Sequence, residues 1–502
     1  MAGSDAAASS LSATRDRGTI CAVRSVAPLL TLAERRCGGT EWCWADSLIS
    51  DPLPARLVEA GQQRLETELS WSPARGRSVV AHSSLRRGDM FLSDPALASV
   101  ALSSGTGRSS LRAVALGAPA AACGLDESDV PSLELAAAVL RQGRSSIGIA
   151  RALVSNADRL SSTTWAAWLR VAAAVRQAVP ASPALAELDD AGLAELLLSV
   201  RGNAHRVMDD DTASAPTALG LFPAISLLNH SCLPNATLYF EGGRACARAL
   251  VEVARGEEIT LSYLAEEQLY APHAERASML LSAHGFTPEQ PVERALTEAA
   301  VAADGTPLPP RELGALQQKL QTLQAAAARA TADGEATVLR SALQWLCDFL
   351  HNELTPRLRA SHWLVQESCT AALALGRALD DPGVIARYSL ELLSAREAAL
   401  PIGIPHLAVL YAAHGGALSR LLREGRVPPP ARAEVAGQAA AALQAAGRIR
   451  TSCLGEQHPL TRATLAALQA AVERRERLVA AATASPADAG EGQSHSAVRV
   501  RE

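Results

Sequence analysis

Two polar strings decide more about this chain than its long helical stretches do. The first runs Ser226-Leu227-Leu228-Asn229-His230-Ser231-Cys232-Leu233-Pro234-Asn235. It crowds short polar side chains and a proline into one tight turn, a pattern that suits neither an amphipathic helix nor an alternating strand. The second, Gly256-Glu257-Glu258-Ile259-Thr260-Leu261-Ser262-Tyr263, sets a Gly-Glu-Glu loop before an alternating stretch that ends in tyrosine. Burying a hydrophobic core does not require either string. A turn-rich strand substructure set among helices is the consequence, so the expected class is α+β.

The surroundings agree with that class. Ser78-Val79-Val80-Ala81 and Asp89-Met90-Phe91-Leu92 read as short strands, with Leu85-Arg86-Arg87-Gly88 turning between them. Ala236-Thr237-Leu238-Tyr239-Phe240, the turn Glu241-Gly242-Gly243-Arg244 and the return Ala245 to Val251 read as a hairpin, and Glu257 to Tyr263 as a further strand. Residues 131–200 read as helical: Leu133, Leu135, Ala138 and Leu140 begin one helix, and Trp165, Trp168, Leu169 and Ala172 share a face of another. Helical spacing returns from about residue 311 to 480, through Leu316, Leu320 and Leu323 and then Leu339, Leu343, Trp345 and Leu346. Two later segments, Ile385 to Leu421 and Ala431 to Val479, each carry a His-Pro or Pro-His pair near the middle, compatible with tetratricopeptide-like (TPR-like) hairpins. His406 and His458 in those pairs read as packing or hydrogen-bonding residues. Leu29 to Arg36 and Ala55 to Leu69 have helical spacing within an N-terminal extension of residues 1–70, and residues 481–502 read as a disordered tail.

Composition excludes several functions. The 502 residues carry a net charge of −5 and no basic cluster, so direct nucleic-acid binding is not expected. No apolar run reaches membrane-spanning length. The nine cysteines are scattered without a Cys-x-x-Cys pair, which implies free thiols and no metal site. Met1 to Arg17 is rich in Ala and Ser but contains Asp5 and lacks an apolar signal core; a cytoplasmic or nuclear location is expected, with an organelle leader left open. Lys319 is the sole lysine, and codon composition accounts for this together with the excess of Ala and Gly.

The string Gly220 to Cys232 resembles that of the SET-and-MYND (SMYD) branch of SET-domain protein lysine methyltransferases. The stretch Arg75-Gly76-Arg77-Ser78 through Leu85-Arg86-Arg87-Gly88-Asp89 to Ser93-Asp94-Pro95 resembles the first SET strands of that branch. The resemblance implies a SET β-fold of small sheets with a pseudoknot-like cofactor site. Residues 71–100 and 201–265 would form its two parts, 101–200 a helical insertion, 266–310 a post-SET segment and 311–480 the TPR-like domain. It implies S-adenosylmethionine (AdoMet) as cofactor and a protein substrate offering a lysine. In proteins of this kind Asn229 would hold the methionine end of AdoMet and His230 would contact adenine. Ser226 and Leu227 would line the same wall, Asn203 would add a polar contact, and Arg75 and Arg77 would border the cofactor. Tyr263 would be the catalytic residue, orienting the amine rather than acting as a strong base. Phe286 would close the site by stacking, and His205, Tyr239, Tyr263 and His284 would line the substrate channel.

Each residue also has a plainer reading. Asn229 and Pro234-Asn235 suit turns for local reasons, Cys232 suits a small buried position, and Asn203 suits a helix cap. The chain departs from the family at three places. The MYND zinc module is missing, as is the post-SET cysteine cluster, where Gly285-Phe286-Thr287-Pro288 stands instead. His205 and His284 occupy positions where relatives often place larger aromatics. Two functions follow as expectations: an AdoMet-dependent protein-lysine N-methyltransferase acting on a histone or non-histone protein, or a catalytically weak or inactive SET core acting as a scaffold whose helical C-terminal domain binds a protein partner.

Overall fold

The computed structural model describes residues 33–36, 42–45, 67–72, 76–102, 110–208, 216–288, 305–400 and 402–484. Twelve short strands occur among them. The first pair, β1 (Ala33–Arg36) and β2 (Trp42–Ala45), is antiparallel. Helical spacing over Leu29 to Arg36 therefore does not decide that segment. The β-prone Trp42-Cys43-Trp44 run offers a template strand, and pairing overrides the weak helical preference of Ala33 to Arg36. The expected helix over Ala55 to Leu69 also ends differently: Thr67–Ser72 is β3, paired antiparallel with β4 (Gly76–Ala81), while residues 55–66 lie outside the described set.

The strands predicted at Ser78–Ala81 and Asp89–Leu92 form, but they do not pair with each other. β4 pairs with β3, and β5 (Met90–Pro95) pairs with the return strand of the central hairpin. The connecting turn carries Gly88 at φ +90°, which a side chain would resist. That hairpin is β10 (Ala236–Glu241) and β11 (Arg244–Ala249), turned by Gly242 and Gly243 at φ +56° and +75°. A third sheet joins β6 (Ala98–Ala101), β8 (Ala218–Leu221) and β7 (Ala204–Val207). The last pair is parallel and only two residues long, β9 (Asn229–His230) with β12 (Thr260–Leu261). The strand expected over Glu257 to Tyr263 is thus shorter than its alternation suggested.

Three main cores follow from this arrangement. Val79, Phe91, Leu92, Phe222, Ile225, Leu228 and Ile259 fill the space between the small sheets. The helices between β6 and β7 have their own core, built around Leu135, Trp168, Val171, Leu193 and Leu196. A third core continues from the end of the strand region, through Leu264, Leu269, Tyr270 and Leu280, into the C-terminal helices from Leu316 to Cys453. The C-terminal helices are therefore not a tethered appendage; they share buried surface with the segment that follows Tyr263.

His406 and His458 mark the same seam. Glu266 accepts the backbone N–H of His406, and Glu267 lies 2.9 Å from the His406 ring nitrogen Nδ1. The Tyr239 ring meets His458 edge-on at 6.2 Å. Both histidines are thus packing and hydrogen-bonding residues: His406 meets the turn that follows Tyr263, and His458 meets β10. At the far end, the helix Pro459–Ala484 runs past residue 480, because the Ala-rich stretch there favours helix; residues 485–502 of the expected tail lie outside the described set. Among the described residues no helix is long and apolar enough to cross a membrane.

Candidate active site

The two polar strings are drawn together by hydrogen bonds that start in β5. Asp94 is buried there, and its Oδ2 accepts the backbone N–H groups of Ala224 at 2.7 Å and Ile225 at 3.0 Å. Burial pushes the Asp94 carboxyl up to about 7, against the lowering effect of both N–H groups and of Arg244. The turn so pinned leads into Ser226, whose hydroxyl donates to the Phe222 carbonyl at 2.8 Å and the Asn203 carbonyl at 3.3 Å. The chain then enters β9 beside β12, in the register Asn229 to Thr260 and His230 to Leu261. Asn235 fastens the other end. Its Oδ1 accepts Thr260 N–H at 2.8 Å, and its Nδ2 donates to the Glu258 carbonyl at 2.8 Å. The Pro234-Asn235 turn is therefore a clamp between the strings.

Asn229 faces β4. Its Nδ2 donates to the Arg77 carbonyl at 2.8 Å and to Glu258 Oε1 at 2.9 Å. One amide thus holds three separate stretches in register. His230 points the other way, and its Nδ1 accepts the backbone N–H of Tyr263 at 3.0 Å. That bond assigns the proton of the neutral ring to Nε2, which lies 3.4 Å from Cys232 Sγ. Burial, followed by the nearby charges of His284 and Arg276, lowers the His230 ring to about 4. Cys232 is itself 2% exposed, the small buried residue its type suggests.

Tyr263 stands at the centre of a ring cluster. Its centroid lies 4.8 Å from His284, 5.5 Å from His230 and 6.2 Å from Phe286. The hydroxyl donates to the Leu228 carbonyl at 2.8 Å. Burial, reinforced by the charge of Glu258, raises the phenol above its ordinary range, so at neutral pH it is a donor and not a base. His284 ends the helix His273–His284, and Gly285 caps that helix at φ +75°, turning the chain so that Phe286 comes back over the cluster. Phe286 reaches His230 at 5.9 Å.

His205 approaches from β7, packed edge-on against Phe222 at 6.1 Å. Its Nε2 is sealed from solvent without a hydrogen-bond partner. Burial, followed by the charge of His284, lowers the ring to about 4. This has a measurable consequence. The unfolded chain binds a proton on this ring below pH ~6.5 and the folded chain does not until about 4, so stability is full above the first value and is lost as pH falls toward the second. The loss between pH 6.5 and 5 is about 2 kcal/mol per such ring. In thermal scans the wild type is expected to lose more stability from pH 7 to pH 5 than His205→Phe does. Parallel acid limbs in the two proteins would contradict the assignment.

The remaining predicted site residues divide. Arg77 contributes its carbonyl to Asn229, and its Nη1 donates to the Ala152 carbonyl at 2.8 Å. Asn203 ends the helix Asp190–Asn203, where its Nδ2 donates to the carbonyls of Ser199 at 2.7 Å and Val154 at 2.9 Å. Leu227 packs partly buried between the strand core and the insertion core. Arg75 lies outside the described residues. Tyr239 is not brought to the cluster. Its hydroxyl meets Met90 Sδ at 3.5 Å, its ring meets His458, and the Arg248 guanidinium lies 5.4 Å from its centroid. Neighbouring strand residues face opposite ways, and here Phe240 takes the inner face, 5.5 Å from Phe222. Tyr239 therefore turns toward the C-terminal helices. Glu258 and Asp94 join the site although the sequence singles out neither: each lies in a string distinguished by other residues.

Residues 76–264 match the family described as SET domain. Among curated proteins, the chain is 45% identical over 62 residues to histone-lysine N-methyltransferase ASHR1 of Arabidopsis thaliana, a stretch covering 12% of each chain. It is 33% identical over 99 residues to N-lysine methyltransferase SMYD2-A of Xenopus laevis, covering 20% of this chain and 22% of that one. It is 50% identical over 46 residues to histone-lysine N-methyltransferase SMYD3 of Mus musculus, covering 9% and 11%. The matched stretches thus span at most 22% of the length of these relatives. The SET-domain match covers the region that carries the site.

Proposed function

We propose that the chain is an AdoMet-dependent protein-lysine N-methyltransferase. One observation carries the reading: within the SET match, pairing of Asn229–His230 with Thr260–Leu261 seats Tyr263 on His230 in a cluster with His284 and Phe286, while Asn229, next along the same strand, turns to Arg77 and Glu258. The donor set suits the cofactor. AdoMet carries an α-amino acid, a sulfonium and a purine. The residues at hand are the Arg77 guanidinium, the Glu258 carboxylate, the Oδ1 acceptors of Asn229 and Asn203, whose Nδ2 groups already donate within the protein, and the aromatic cluster. When bound, AdoMet supplies an electrophilic methyl group. The chain's own residues would orient the ends of the cofactor, exclude water and hold the lysine amine.

Tyr263 would position that amine through a hydroxyl fixed on the Leu228 carbonyl. His205 and His284 remain neutral at pH 7, because burial lowers both rings. Neutral, desolvated histidines in the wall would disfavour the ammonium form of lysine, which assists loss of its proton before transfer. The acceptor is proposed to be a protein lysine, and the TPR-like character of the C-terminal helices is part of the same reading.

The test is direct. Purified protein titrated calorimetrically with AdoMet should show saturable binding, and tritiated methyl should pass from AdoMet to proteins of a cell extract. A Lys319→Arg background removes the only lysine of the chain, so label on the enzyme itself disappears from the blank. Absence of AdoMet binding at high micromolar concentration would overturn the proposal. Binding without transfer would favour the scaffold reading, which His205 and His284 in the channel wall support.

A further inference from the structure

The geometry points to Asn156 and Arg159, in the loop of residues 152–159 of the helical insertion, as positioning residues that hold the His284–Phe286 wall over Tyr263. Five hydrogen bonds meet on this loop from both sides of the site. On the cofactor side, its carbonyls accept Arg77 Nη1 at Ala152 (2.8 Å), Ser199 Oγ at Leu153 (3.4 Å) and Asn203 Nδ2 at Val154 (2.9 Å). On the channel side it donates: Asn156 Nδ2 reaches the His284 carbonyl at 2.8 Å, and Arg159 Nη1 reaches the Gly285 carbonyl at 3.1 Å. The contact is close as well as polar, since a Cβ at Gly285 would stand 3.8 Å from Asn156 Cγ.

Backbone conformation adds an independent sign. Asn156 adopts φ +54°, one of two described non-glycine residues in the left-handed region, which a side chain enters at a cost. Asparagine tolerates that region better than most residues. The strained turn aims its amide at the carbonyl that ends the helix His273–His284, just where the chain swings back toward Phe286. The carbonyls of His284 and Gly285 are those a helix end leaves without helical partners. The insertion supplies the missing donors. A single short loop therefore fixes the distance between the wall bearing Arg77 and Asn203 and the wall bearing His284 and Phe286. Width of the channel above Tyr263 follows from that distance.

The role in channel width rests on the proposed function, but the tethering does not, and the experiment separates the two. Asn156→Gly keeps the positive φ at no steric cost and removes only the donor. Asn156→Asp keeps shape and places an acceptor against an acceptor. Hydrogen–deuterium exchange of the cofactor-free protein is expected to rise roughly tenfold over residues 282–288 in both variants, the scale of one lost hydrogen bond. Exchange elsewhere and the thermal midpoint should stay near the wild-type values. In the labelling assay both variants should transfer less methyl at low extract-protein concentration and recover at high concentration, with AdoMet affinity within twofold of wild type. Unchanged exchange over 282–288, or a rise spread along the whole chain, would overturn the tether. A localised rise with transfer unaffected at every extract concentration would overturn the positioning role. If the wild type itself neither binds AdoMet nor transfers methyl, the functional reading fails, while the exchange result still decides the tether.

Discussion

Tyr263→Phe is expected to reduce methyl transfer by about 10²- to 10³-fold, the scale of removing one preorganised polar group from the site: with its proton held by the Leu228 carbonyl, the phenol presents its oxygen to the amine N–H. AdoMet affinity should change by less than about threefold, because the ring and its neighbours remain. The hydroxyl donates to the Leu228 carbonyl, and its removal leaves that acceptor without this bond, a stability cost of about 1 kcal/mol. Folding is therefore retained and the assay is interpretable. The acid–base alternative predicts something different. A phenol acting as base would need a depressed pKa, whereas burial and Glu258 raise this one. The pH–rate profile of the wild type should accordingly show no limb belonging to Tyr263 below pH 9, and the residual rate of the variant should keep the shape of the wild-type profile. A Tyr263→Phe protein that transfers methyl at the wild-type rate would remove Tyr263 from the catalytic role.

The same cluster shows what could be read from the chain and what could not. The two polar strings and the Gly242-Gly243 hairpin were legible because their signals are local: glycines at positive φ, a proline, short polar side chains. Asp94 lies within Ser93-Asp94-Pro95, yet its task is to accept N–H groups 130 and 131 residues away, and no periodicity encodes such a partner. Tyr239 and Phe240 present a different difficulty. Alternation says that they face opposite sides, but both are aromatic, so the pattern cannot tell which side is the sheet core and which meets the helices. The loop 152–159 is harder still. Asparagine permits a positive φ but does not demand one in Ser155-Asn156-Ala157, and the partners at His284 and Gly285 lie 128 and 126 residues away from their donors.

Asn229→Ala should weaken AdoMet binding by roughly 30-fold or more, with transfer falling in parallel. The reason lies in what the amide holds. Nδ2 binds the Arg77 carbonyl and Glu258 Oε1 together, so its loss frees the first strand, the Asn229 string and the Gly-Glu-Glu loop from one another. A hydrogen bond to a charged group is worth about 1.5–3 kcal/mol, and a 30-fold loss corresponds to about 2. Two further variants separate position from charge. Asn229→Asp keeps the shape but sets a carboxylate against Glu258, so it should bind AdoMet more weakly than Asn229→Ala. Glu258→Gln preserves an acceptor for Nδ2 while removing the charge, so its effect should be smaller, roughly three- to tenfold. Calorimetric titration of the three variants gives the order directly. The reverse order, with Glu258→Gln weakest, would make the carboxylate's charge the dominant element and reduce Asn229 to a support for it; wild-type affinity in all three would place the cofactor elsewhere.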